Sequence, residues 1–84
     1  MKVQAEVSLY PLRQNDLTEP IQQFVKSLNN DNLNVKTGSM SSVISGDSKI
    51  VFQSLHKAFE QAAQKYEVVL TAKISNACPE IEQR

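Results

Sequence analysis

The chain has 84 residues, nine Lys or Arg against nine Asp or Glu, one histidine and one cysteine. At this length it forms one domain that buries only about 60–65% of its unfolded surface, which leaves an isolated monomer modestly stable. The zero balance, with basic residues spread evenly from Lys2 to Arg84, excludes an electrostatic footprint for nucleic acid or an anionic membrane.

Val3, Ala5, Val7 and Leu9 alternate with Lys2, Gln4, Glu6, Ser8 and Tyr10, the period of a strand with one apolar face. Pro11, with no N–H to give, is expected to end its regular pairing. Leu17, Ile21, Phe24, Val25 and Leu28 then form the stripe of an amphipathic helix. Asp16 or Thr18 is its candidate cap, and Pro20 sits in its first turn, where a missing N–H costs little. Asn29 to Asn32 stops it.

Leu33, Val35 and Thr37 predict a second strand, and Met40 to Gly46 a short third one rich in serine. Thr37 to Asp47 holds both glycines and reads as the second arm of a hairpin feeding a helix. Asp47 is placed to accept from the first free N–H groups of that helix. Val51, Phe52, Leu55, Phe59, Ala62 and Tyr66 give the helix its apolar stripe, against a solvated face of Gln53, Lys57, Glu60 and Gln64. Val68, Leu70, Ala72 and Ile74 alternate once more as a fourth strand, closed by Asn76 to Pro79.

The order β-α-β-β-α-β is the ferredoxin-like α+β arrangement, a four-stranded antiparallel sheet with two helices on one face. Residues 3–79 make the domain and 80–84 a short polar tail, with no repeat or linker. The apolar residues of the first and fourth strands belong under the helices. The other face then displays Glu6, Ser8, Tyr10, Val69, Thr71, Lys73 and Ser75, where Glu6 and Lys73 are placed to pair. This face, or an open strand edge, is the expected meeting place with a second copy.

Cys78 alone excludes an internal disulfide, and no Cys/His set has metal-ligand spacing. Without disulfide or metal, self-association is the remaining way to add buried surface. Cys78 has no nearby histidine and reads as structural; His56, at the edge of the second helix's stripe, reads as a surface residue. Neither Arg13 nor Arg84 sits in a Gly-rich anion loop, and glycines at 38 and 46 match no phosphate loop. The third strand has no aromatic residue, which removes RNA binding by stacking on the sheet. The start lacks the apolar stretch of a signal peptide and no run is long enough for a membrane span, so a cytoplasmic protein is expected.

Three stretches carry a resemblance: Ser8-Leu-Tyr-Pro-Leu12, Met40-Ser-Ser-Val-Ile-Ser-Gly-Asp47 and Ser75-Asn-Ala-Cys-Pro79. In order, and with the apolar positions between them, they resemble the YkoF-like proteins, which bind thiamine and its hydroxymethylpyrimidine moiety. The resemblance spans about residues 3 to 79. It implies a non-enzymatic binding protein with no bound cofactor or metal, in which ferredoxin-like domains associate in pairs. Some members carry two domains in tandem; here a homodimer would stand in, with a dimer of dimers beyond it. The alternative is an oligomeric structural or regulatory domain with no thiamine-type ligand.

An aminopyrimidine ring needs an apolar wall and a few placed donors and acceptors. Thr37, Ser39, Ser41 and Ser42 can both donate and accept, or are ordinary hairpin polarity. Tyr10 supplies a stacking wall or an interface contact, and Met40 an adaptable apolar lining or core filling. Asn76 pairs with a ring edge or merely ends its strand, and Glu6 offsets a thiazolium charge or stands as a surface residue.

Overall fold

A computed structural model describes residues 1–28 and 32–77. The elements run β1 (Lys2–Leu12), α1 (Thr18–Leu28), β2 (Asn34–Thr37), β3 (Ser42–Asp47), α2 (Ser48–Lys65) and β4 (Glu67–Ser75). The four strands form one sheet in the order β2-β3-β1-β4, antiparallel throughout. This is the ferredoxin-like α+β fold. The expected end of the domain at Pro79, the polar tail, Cys78 and part of the Asn29–Asn32 stop lie outside the described residues.

β1 alternates as its sequence demands: Val3, Ala5, Val7, Leu9 and Pro11 are buried, and the residues between them face away. Val3, Ala5, Val7 and Leu9 make the core with Ile44 of β3, Phe24 and Leu28 of α1, and Val51, Leu55 and Ala58 of α2. Each large apolar side chain so buried contributes about 1.5–3 kcal/mol over its exposed state.

Pro11 does not end the pairing. β1 pairs with β3 only from Lys2↔Asp47 to Val7↔Ser42, but with β4 as far as Leu12↔Glu67. Past Val7, among the described residues, the strand pairs with β4 alone, so a missing N–H on the other side breaks no ladder. Arg13, at φ 58°, then turns the chain out of the sheet, and its guanidinium donates to Glu67.

The α2 stripe is narrower than its sequence suggests. Val51, Ser54, Leu55 and Ala58 are buried, whereas Phe52 and Phe59 are 56% and 37% exposed. At 100° per residue these two phenylalanines sit about a quarter turn from Val51, on the flank away from α1. His56 lies on the helix surface, 3.8 Å from Glu60. The apolar residues of β4 are likewise only partly covered: Val68, Leu70 and Ile74 are half-buried and Ala72 is exposed.

Gly46 has no positive φ; what it allows is the close approach of a flexible side chain, which an added Cβ would push aside. A Cβ there would stand 2.6 Å from Cδ2 of Leu33, which packs over β3 on its way into β2. One residue on, Asp47 caps α2, accepting from the backbone N–H of Lys49 at 3.1 Å. Its other oxygen accepts from the amino terminus of Met1 at 3.2 Å. At α1 the capping acceptor is Asp16, which takes the Thr18 N–H at 3.0 Å.

Ile44 is fully buried, and Ile44→Ala is expected to cost about 2–5 kcal/mol of stability in urea unfolding. The Asp47 carboxyl is held below its ordinary 3.8, first by its bond to the amino terminus and then by the Lys49 N–H. A lowered folded pKa gives stability that is present above the unfolded value and lost as pH falls through the folded one. Asp47→Ala is therefore expected to melt below the unsubstituted chain at pH 7. The gap should begin to narrow as the pH falls toward about 3.8 and close only below the lower folded value, as read by melting at a series of pH values.

Candidate functional site

The β2–β3 hairpin places its turn over the middle of β1. Thr37 and Ser42 are register partners, and the Gly38 N–H donates to the Ser41 carbonyl at 2.8 Å, which closes a four-residue loop. Gly38 serves this tight turn, since a Cβ would come within 3.1 Å of that carbonyl oxygen. Two side-chain bonds tie the loop to β1. The Ser8 hydroxyl donates to the Met40 carbonyl at 3.2 Å, and the Ser41 hydroxyl donates to Glu6 at 2.8 Å.

Between this loop, β1 and α1 lies a hollow of about 90 Å³. Ile21, Phe24 and Val25 of α1 wall one side, Val7 and Leu9 of β1 form the floor, and Thr37 to Ser42 close the other side. No described lining residue is charged; the Glu6 carboxylate accepts from the Ser41 hydroxyl but does not line the hollow. The site is thus a neutral apolar slot with hydroxyl groups along one wall. Such a slot can hold a small flat ring and exchange a few hydrogen bonds with its edge.

Five of the seven expected residues, Thr37, Ser39, Met40, Ser41 and Ser42, come together here. Met40 does not fill the core: it is 86% exposed, because β3 begins at Ser42 rather than at Met40 and the turn carries Met40 outward. Tyr10 lies on the uncovered sheet face opposite Val69, 51% exposed, and does not line the hollow. Asn76 follows Ser75, the partner of Gln4, and its amide lies 3.7 Å from the Met1 sulfur. That end of the sheet is about 15 Å from Ser8 at the strand rise.

Glu6 and Lys73 stand directly opposite one another, as expected. The Glu6 carboxylate nevertheless takes the Ser41 hydroxyl and so serves the hairpin. The sequence reading missed Ser8 as a hairpin anchor and the α1 wall. Ser8 was legible as an outward-facing strand residue, but its partner, a loop carbonyl 32 positions on, has no sequence signal.

Larger depressions lie elsewhere among the described residues, two of them notable. One of about 330 Å³ runs between the helices, lined by Phe24, Ser27, Gln61 and Tyr66 among others, and is bridged by the Ser27 hydroxyl donating to Gln61 at 2.6 Å. The other, about 320 Å³, is a shallow dip in the uncovered face beside Gln4, Glu6, Val43 and Lys73. Among the described residues no group of three His, Cys, Asp or Glu side chains is arranged to hold a metal. No helix there is long and apolar enough to cross a membrane.

Solved structures of similar fold include a hypothetical protein from Methanocaldococcus jannascii, with TM-score 0.86 and 24% identity over 98% of this chain and 87% of that one. A protein from Streptococcus pneumoniae aligns with TM-score 0.84 and 25% identity, over 96% of this chain and 90% of the other. A third, from Thermotoga maritima, is provisionally assigned to thiamine biosynthesis or salvage; it has TM-score 0.80 and 14% identity over 88% and 82% of the two chains. No curated protein matches significantly. The sequence profile of the YKOF-related family matches residues 2–81, nearly the whole chain, and the chain belongs to that family.

Proposed function

We propose that the chain is a non-catalytic, self-associating binding protein for thiamine or its hydroxymethylpyrimidine part, and that the hairpin hollow is the binding site. The observation that carries this reading is the convergence of the Thr37–Ser42 hydroxyl wall on a slot backed by Phe24 and Ile21, in a chain of the YKOF-related family. The thiamine assignment of the Thermotoga maritima structure supports the choice of ligand.

The size of the hollow supports entry of one ring of the vitamin rather than both. At about 90 Å³ it falls well below the roughly 300–1,000 Å³ of pockets that enclose drug-sized ligands. One six-membered ring matches it better than two linked rings. In this reading the pyrimidine enters edge-first against the serines, and the thiazolium stays at the mouth near Met40. Glu6 lies on the uncovered sheet face, where it accepts from Ser41, so in this reading the thiazolium charge is left to solvent at the mouth.

Isothermal titration with thiamine and with hydroxymethylpyrimidine is the test. Both are expected to bind, with affinities close to one another because the second ring stays outside. Thr37→Val and Ser42→Ala are each expected to weaken binding by roughly three- to tenfold, the scale of one net hydrogen bond. Absence of heat for both compounds at millimolar concentration would overturn the reading. Binding that ignores both substitutions would move the site elsewhere.

A further inference from the structure

We infer that Glu6 is a positioning residue of the hairpin hollow, acting from the opposite face of the sheet, and that Lys73 competes with the hairpin for its carboxylate. The inference rests on the hollow being the binding site, as proposed above, and concerns what sets its affinity.

Successive residues of a strand point to opposite faces. Val7 and Leu9 floor the hollow, so Glu6 and Ser8 point to the uncovered face. The hairpin turn can touch both faces because β3 begins only at Ser42, the partner of Val7, and the turn rounds the end of that strand. Directly opposed residues share a face, so buried Ser42 lies on the helix side with Val7 and lines the hollow. Ser41, one residue earlier, turns to the other face, where its hydroxyl donates to Glu6 at 2.8 Å. Its carbonyl meanwhile takes the Gly38 N–H at 2.8 Å and closes the loop. The Glu6 carboxylate thus holds the residue next to the one that faces the ring.

That carboxylate has a second claimant. The β1–β4 register sets Lys73 directly opposite Glu6, and both line the dip in the uncovered face. β3 and β4 lie on either side of β1, each about 4.8 Å away, so the serine hydroxyl and the ammonium approach from opposite sides. Glu6 and Lys73 are both exposed, which keeps their attraction weak, and a single hydroxyl bond is of comparable net strength. Two partners so nearly matched divide one flexible carboxylate between two arrangements. Turned toward β3, it holds Ser41 and fixes the hairpin wall; turned toward β4, it releases both. A ring that needs the fixed wall favours the first arrangement by its differential affinity. Affinity in the hollow is then set in part by a charge on a face the ring never touches.

The test reads exchange of the Gly38 amide proton with water, by NMR on the ligand-free chain. Glu6→Ala and Ser41→Ala are each expected to speed that exchange roughly three- to tenfold, and the double substitution no further than either alone. Lys73→Met removes the competitor and is expected to slow exchange about two- to threefold, but to do nothing once Ser41 is alanine. Glu6→Gln keeps an acceptor oxygen without the charge; it is expected to hold Ser41 and to be indifferent to Lys73→Met. It also serves should Glu6→Ala fail to fold, with circular dichroism as the check on every variant. In calorimetry with hydroxymethylpyrimidine, affinity is expected to rise where exchange slows and to fall where it speeds. Additive effects of Glu6→Ala and Ser41→Ala, a Lys73→Met effect that survives Ser41→Ala, or a bound ring whose affinity ignores Glu6→Ala would each overturn the inference. The expected exchange pattern with no heat from the ring overturns the proposed ligand alone and upholds the contest for Glu6.

Discussion

The β1–β3 ladder stops at Val7↔Ser42, while the β1–β4 ladder continues five residues further to Leu12↔Glu67. That mismatch leaves a notch in the sheet where β3 gives out, and α1 lies across it. The notch is closed by the loop between β2 and β3 rather than by another strand. A loop can present hydroxyl groups at angles that a paired strand cannot, because its backbone is not committed to a ladder. The hollow is therefore a consequence of strand lengths, and its chemistry is a consequence of which residues the loop carries.

The loop is held by few and exposed bonds: Ser8 to Met40, Ser41 to Glu6, and Gly38 to Ser41. The wall opposite is held by core packing, since Phe24 is 3% exposed and Leu28 is fully buried. One side of the slot is thus rigid and the other belongs to the low-stability end of the structure, where local opening is cheap.

Most of the scaffold was legible because it rests on periodicity. The alternation from Val3 to Leu9 and the helical stripe of α1 are enforced by burial, which leaves its mark on every second or every third and fourth residue. The Asp47 cap was legible for the same kind of reason, a local geometry that few residues satisfy. What was not legible depends on how far each layer reaches. Pro11 reads as a breaker until β3 is known to have already ended beside it. Phe52 and Phe59 read as core until the structure shows them on the α2 flank away from α1, 56% and 37% exposed. Met40 reads as an apolar filler because sequence shows its type and not the turn that carries it outward. The serines of the hairpin could be placed near one another, whereas Tyr10 and Asn76 needed the register to show that they lie on another face and at another end.

The most direct measurement is the change in backbone amide chemical shifts on adding hydroxymethylpyrimidine to the isotope-labelled chain. The account predicts that the shifts concentrate at Gly38 to Ser42, with smaller ones at Val7 to Leu9 and Ile21 to Val25. Shifts confined to the inter-helix groove around Gln61 and Tyr66, or no shifts at saturating ligand, would contradict it.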